Sequence, residues 1–208
     1  MSARKVQSSL NLSGFSPIQL NTRSPVSVKS PGKDYGINER IEKGREKLIA
    51  DFDRWKLAES SSNLTINSIH NLKEKSRQSA SDPYPPELEN FCQKLKTIST
   101  VFKNVIDNAI SFRNEMKRSI CILESMNDND ELMTKLKAVQ EFLDSLIRVY
   151  EHIFSSRKFV VENIAHATSM KDSNLLIAAW TFNSKNQELL KMITQLKISP
   201  EDYQWKIR

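Results

Sequence analysis

The sequence predicts an all-α protein: an elongated antiparallel bundle of three long coiled-coil-like helices, with a short helical C-terminal unit and a disordered N-terminal tail. Three observations carry that prediction. Residues 87–199 contain neither glycine nor proline, the residues that punctuate hairpins and sandwiches. Apolar residues recur through the same stretch at a period of about 3.5, the spacing of a helix-packing seam. Hydrophobic residues make up 38% and charged residues 27% of the 208-residue chain. That balance suits narrow apolar stripes better than the thick core of a compact enzyme.

Residues 1–33 read as a disordered basic tail, rich in serine, with three prolines and little apolar periodicity. Ser16, Ser24 and Ser30 each precede a proline and are candidate phosphorylation sites. Ser30 is the best of them, because Ser30-Pro31-Gly32-Lys33 has the form a cyclin-dependent kinase selects. A phosphate would offset about 1.5 to 2 units of the tail's positive charge.

Residues 34–168 read as the long-helix bundle. Its first helix begins near Ile37 and carries the stripe Ile41, Leu48, Trp55, Ser62 and Ile69, with Phe52, Ala58, Ile66 and Leu72 beside it. The run Ser60-Ser61-Ser62-Asn63 has low helix propensity and predicts a break there. Between Ser79 and Pro86, three prolines end this helix and start the next. The second helix has the strongest pattern. Leu88, Leu95, Phe102, Ala109, Met116 and Leu123 occupy one seam position, and Phe91, Ile98, Val105, Phe112, Ser119 and Met126 the other. Asn127 to Asp130 then supply a turn and a cap. The third helix keeps the period from Leu132 through Leu136, Val139, Leu143, Leu146, Tyr150, Ile153, Val160 and Ile164 to Ala167, broken only by Arg157. So short a linker between long amphipathic helices requires antiparallel packing.

Residues 169–198 read as the short C-terminal helical unit. Leu175, Leu176, Ala179 and Trp180 are apolar in its first helix. Leu189, Leu190, Ile193 and Leu196 are apolar in its second, for which Ser184 is a candidate cap. Residues 199–208 form an aromatic tail.

Several function classes are excluded by what is missing. No glycine follows Gly44, so later residues hold no glycine-rich phosphate loop, dinucleotide fingerprint or kinase loop. No stretch approaches the roughly 20 apolar residues of a membrane span, and the polar start is not a signal peptide. The sequence therefore predicts a soluble, non-secreted chain. The net charge of +6 is concentrated at the N-terminus: residues 1–36 carry +4, residues 37–78 carry +2, and residues 79–208 are neutral. A basic pI that resides mainly in a tail weakens a nucleic-acid reading of the folded body.

His70, His152 and His166 are widely spaced and form no metal-ligand pair one helical turn apart, so no metal site and no cofactor are expected. His166, near a helix C-terminus, is expected to bond to unpaired carbonyls there rather than to act in catalysis. Cys92 and Cys121 lie 29 residues apart on one helix, about 43 Å, too far for a disulfide within it. Both are expected to be partly buried, reduced thiols. Carboxylates alternate with Lys and Arg on exposed faces, as at Glu39-Arg40 and Glu42-Lys43, so no catalytic residue is expected. Binding then falls to the aromatic residues. Trp55, Trp180, Tyr203 and Trp205 are candidate partner-binding residues. For Trp55 and Trp180 core packing is the preferred alternative, whereas Tyr203 and Trp205 lie in the tail with no core to join. The faces expected to bind are those around the first helix and on the C-terminal unit.

A series of short segments, in order, resembles the cyclin-dependent kinase 2-interacting protein family. They are Leu48-Ile49 with Trp55, and Ile69-His70-Asn71-Leu72-Lys73; then Glu87-Leu88-Glu89, Phe91-Cys92 and Leu95; then Ile120-Cys121 and Leu123-Glu124. Tyr150, Arg157-Lys158, Ile164-Ala165-His166 and Trp180 complete the series. The resemblance covers roughly residues 26 to 196, leaving the first 25 residues and the tail after Ser199 unmatched. It implies a non-enzymatic nuclear adaptor, with the cytoplasm as a second compartment, active in cell cycle and division, DNA replication, DNA damage response and repair. The implied partners are AAA-type ATPase subunits, a cyclin-dependent kinase, and origin-firing and checkpoint kinases, with the chain a subunit of a hetero-oligomer. Ribosomal large-subunit maturation is implied as a further role. No direct nucleic-acid or membrane contact is expected. Two alternatives stand beside this reading: a nucleic-acid-associated protein acting through its basic tail, and a self-assembling coiled-coil scaffold.

Overall fold

Pro85 and Pro86 lead directly into the second long helix. The Leu88 N–H donates to the Pro85 carbonyl (2.9 Å), and Glu87 and Glu89 set negative charge on the first turn, where the helix dipole favours it. The computed structural model describes residues 33–79, 82, 84–126 and 130–198. These fold into α1 (Lys33–Gln78), α2 (Glu87–Met126), α3 (Asp130–Asn163), α4 (Met170–Thr181) and α5 (Asn186–Lys197). A short 3₁₀ turn, Ile164–His166, follows α3. The fold is all-α, with no strand among the described residues. None of their helices is long and apolar enough to cross a membrane. The N-terminal tail with Ser16, Ser24 and Ser30, and the aromatic tail with Tyr203 and Trp205, lie outside the described residues.

Side-chain pairs along the rods fix their directions. On α1 and α2, Asp51 meets Asn108 and Gly44 meets Phe112, so these helices run antiparallel. On α2 and α3, Arg113 meets Asp144 and Glu124 meets Lys137, again antiparallel. Between α1 and α3 the numbers rise together: Asn38 with Lys135, Glu59 with Arg157, Lys73 with Ala165. Those two helices are parallel. The C-terminal unit runs back along both of them, with Arg77 at Ser173, Asn63 at Trp180 and Arg45 at Leu196. Residues 170–197 thus form the fourth rod of an up-down-up-down bundle, split near Phe182 into two short helices.

Helix α1 continues through Ser60–Asn63, where the sequence predicts a break. The hydroxyls there bond back inside the helix instead of competing with it. Ser62 Oγ donates to the Glu59 carbonyl (2.8 Å), and Thr65 Oγ1 donates to the Ser61 carbonyl (2.9 Å). Ser62 and Ala58 are both buried, so small side chains at these positions suit close approach of the other rods. Tertiary packing outweighs the few tenths of a kcal/mol per residue that propensity would cost. The same logic explains Gly44. A Cβ there would lie 2.1 Å from Phe112 Cζ, so the absence of a side chain is what lets the Phe112 ring reach the α1 backbone.

The seam positions of α2 and α3 are buried nearly throughout the described residues, with Phe91 half-buried. Ser119, the polar exception on α2, is buried and bonds to the Glu115 carbonyl. Helix α4 begins at Ser169, whose Oγ accepts from the Asp172 N–H (3.0 Å). Helix α5 departs from expectation. Its N-cap is Lys185, and the side chain that bonds there is Asn183, whose Oδ1 accepts from the Lys185 N–H (2.9 Å), in place of Ser184.

Candidate functional site

A charged side chain at a seam position must find its counter-charge and its solvation inside the protein. Arg157 is that case. It is 2% exposed, and its guanidinium lies 5.3 Å from the Trp55 ring centroid, 4.8 Å from Phe102 and 5.2 Å from Trp180. Three ring faces therefore surround one cation, an arrangement their quadrupoles favour. Nη2 donates to Glu59 of α1, while Nε and Nη1 have no hydrogen-bond partner. The rings also touch each other, Trp55 with Phe102 at 4.5 Å and with Tyr150 at 4.7 Å. Trp180 closes the cluster from the fourth rod, and its Nε1 donates to Asn63 Oδ1 (2.7 Å). Every one of the four rods thus contributes a residue to one polar centre.

The electrostatics follow from burial. Burial alone would raise the Glu59 carboxyl, but Arg157 and Lys56 together outweigh it and hold the group below its ordinary value. Burial lowers the Arg157 guanidinium, and Glu59 restores only part of the loss. The Tyr150 phenol is pushed upward by burial and by Asp51. Asp51 is itself buried, bonded to Arg54 (3.0 Å) on its own helix and to Asn108 (2.9 Å) on α2.

The C-terminal rod and the turn that leads into it are fastened to α1 by directional bonds at both ends. Lys73 donates to the Ala165 carbonyl. Arg77 donates to the Ala167 carbonyl (3.2 Å), to Ser173 Oγ (3.1 Å) and to Met170 Sδ (2.7 Å). Arg45 donates to the Leu196 carbonyl (2.8 Å), and Lys197 lies 3.8 Å from Asp53. The carbonyls after α3 are thus taken by Lys73 and Arg77. His166, expected to serve them, points to solvent instead.

Trp55 and Trp180, candidates for partner binding, are 1% and 3% exposed. Both are core residues whose ring faces are already committed to Arg157, so neither presents a surface to a partner. The structure brings them together, although 125 residues separate them. Of the cysteines, Cys92 is half-buried and its thiol is raised mainly by burial, whereas Cys121 is exposed rather than partly buried. His70 lies 4.0 Å from Glu74 and His152 is exposed. Among the described residues no three His, Cys, Asp or Glu side chains converge as a metal site.

The exposed apolar surface was not legible in the sequence. Phe159 of α3 is 57% exposed, and Leu175 and Phe182 of the fourth rod are 69% and 82% exposed. Phe159 and Phe182 line one open cleft with Ser155, Ala179 and Ser184, without a carboxylate, Lys or Arg among its lining residues. On α1, Leu57 and Leu64 stand exposed two turns apart, beside a run from Ser60 to Leu72 free of Lys, Arg, Asp and Glu. Isolated exposed leucines are ordinary, whereas two exposed aromatic residues sharing one uncharged cleft make the stronger candidate for a binding surface.

No protein-family model, curated protein or solved structure matches this chain.

Proposed function

We propose that this chain is a non-enzymatic nuclear adaptor of the cyclin-dependent kinase 2-interacting protein kind. In this reading it is a hetero-oligomer subunit that joins AAA-type ATPase machinery and cell-cycle and checkpoint kinases to DNA replication, with a further role in ribosomal large-subunit maturation. One observation supports the reading above others. Trp55, Tyr150, Arg157 and Trp180, four of the residues that carry the resemblance, lie far apart in sequence yet meet at one centre. This supports the reading because the residues that carry the resemblance include those of the buried polar centre and not only the apolar seams. The uncharged face formed by Phe159 and Phe182 is the surface we assign to a protein partner, because burying aromatic side chains dominates interface energetics.

The test is affinity purification of the tagged full chain from nuclease-treated extract at moderate salt, with mass spectrometry. The reading predicts stoichiometric AAA-type ATPase subunits, lost in a Phe159→Asp/Phe182→Asp variant that keeps its helical circular dichroism. Recovery of only nucleic-acid-dependent or self-associated material would overturn it.

A further inference from the structure

The turn between α3 and α4 is held bent by side chains from outside it. Its residues, Ile164-Ala165-His166-Ala167-Thr168-Ser169, include neither glycine nor proline, and alanine is the strongest helix former. The connection between α1 and α2, by contrast, is fixed by three prolines. In the turn the backbone is extended at Ala167 (φ −61°, ψ 114°) and at Ser169 (φ −108°, ψ 157°). In one continuous helix the Ala165 and Ala167 carbonyls would accept from the N–H groups four residues on, those of Ser169 and Lys171. Here the same two carbonyls accept from Lys73 and from Arg77 (3.2 Å). Two cationic side chains of α1 therefore occupy the acceptors that a straight helix needs. Beyond the turn, α4 and α5 have 12 residues each, a length at which isolated helices are marginal in water. Released from the groove between α1 and α3, they must find an equivalent groove or unfold.

We propose that the groove between α1 and α3 accepts the C-terminal rod of a second copy of this chain, with residues 164–169 straightening into a helix that joins α3 to α4. The occupant is the one the groove is built for. Leu176, Trp180, Leu189, Ile193 and Leu196 of the rod are buried in the closed chain, and Trp180 supplies one of the three rings around Arg157. In that closed chain the rod runs antiparallel to α1 and α3. A two-fold axis through the straightened hinges lays each rod on the other copy in the same direction. Trp180 then meets Asn63 and Arg157, and Leu196 meets Arg45, between copies instead of within one. Because exchange reproduces the rod's contacts, the two forms differ in the two hinges and in the entropy of association. Dilution favours the closed chain, and loss of the Lys73 and Arg77 bonds favours the exchanged pair. The exchange stands whether or not the adaptor reading holds.

The test is the light-scattering mass of the full chain across a concentration series, each sample equilibrated long enough for the rod to open. Lys73→Met/Arg77→Met frees the hinge carbonyls in both copies, so its dimer dissociation constant is expected to lie at least about tenfold below that of the native chain. Arg77→Met alone, which leaves Lys73 in place, shifts the constant in the same direction by a smaller factor. Adding Met170→Pro to either variant returns the mass to that of one chain. Proline suits position 170 in the bent form, as the first residue of α4 after an extended residue, but it breaks a helix running on from α3. Met170→Pro in the native chain is expected to keep the native helical circular dichroism. A monomeric mass for both clamp variants overturns the proposal. So does a dimer that survives Met170→Pro, which would place the contact on the outer surface with the hinges still bent.

Discussion

Between α2 and α3 the buried positions are apolar over almost their whole length: Leu95, Phe102, Ala109 and Met116 on one helix, Leu136, Val139, Leu143 and Leu146 on the other. Between α1 and the C-terminal rod, with the turn that leads into it, the fastening is different in kind. Arg45, Lys73 and Arg77 reach to backbone and side-chain acceptors, Asn63 receives the Trp180 indole, and the Arg157–Glu59 pair lies inside the ring cluster that Trp180 completes. Apolar burial contributes about 25 cal/mol per Å² but is non-directional, so it stabilises a pairing without strongly fixing its register. Hydrogen bonds and buried charges contribute little net energy, yet they are costly when misaligned. On this account the α2–α3 seam supplies stability, and the α1 clamps decide where and whether the fourth rod sits.

The largest expected effects separate the two seams. Leu143→Ala and Trp180→Ala each remove a buried side chain and are expected to cost about 2–5 kcal/mol. Their distribution differs. Leu143→Ala lowers the unfolding midpoint of the whole chain, whereas Trp180→Ala raises hydrogen exchange mainly in α4 and α5. Exchange that rises equally in all helices of the Trp180 variant would contradict the division.

The ion pair comes next. Glu59→Ala leaves Arg157 buried without a counter-charge and is expected to cost about 3–5 kcal/mol in denaturant titration, whereas Arg157→Met leaves the partly exposed Glu59 still paired with Lys56 and is expected to cost less. A larger loss for Arg157→Met would make the cation a source of stability rather than of register. Because the Glu59 carboxyl is held low in the folded chain, its contribution is full above the ordinary carboxylate range and is lost as the pH falls through the folded value. Glu59→Gln is expected to flatten that part of the acid-unfolding profile.

How much of this was legible follows from the range of the interactions. The seams of α2 and α3 are periodic and local, so the sequence displays them, and with them the all-α class and the antiparallel packing of consecutive helices. Arg157 was visible only as an interruption of a stripe. Nothing near it in the sequence points to Glu59, 98 positions away, or to Trp180, because a buried pair needs geometry rather than spacing. Ser60–Asn63 misled for the complementary reason: propensity is a local property, and the surrounding rods overrode it. The exposed Phe159 and Phe182 look like ordinary core residues until the fold shows which faces are covered.

Two glycines give a smaller contrast within α1. Gly44→Ala drives a methyl into the Phe112 ring and is expected to destabilise by about 1–3 kcal/mol, less the gain in helix propensity of up to about 1 kcal/mol. Gly36→Ala meets nothing within 4 Å and is expected to stabilise by up to about 1 kcal/mol. Thermal midpoints of the two variants moving in the same direction would show that the α1–α2 approach at Phe112 is looser than described. Smallest is Arg77→Met, which removes two directional bonds to the fourth rod and one to the turn before it, for about 0.5–1.5 kcal/mol. Its effect is expected in the exchange of the first turn of α4 more than in the global midpoint.

The most direct test is native-state hydrogen exchange of the unmodified chain across a series of low denaturant concentrations. The division of roles predicts that amides of α4 and α5 exchange through a sub-global opening with a small denaturant dependence, while the buried centres of α2 and α3 exchange only with global unfolding. A single opening free energy shared by all the rods would contradict it, and would make the four-rod bundle one cooperative unit in which the polar centre and the apolar seam are inseparable.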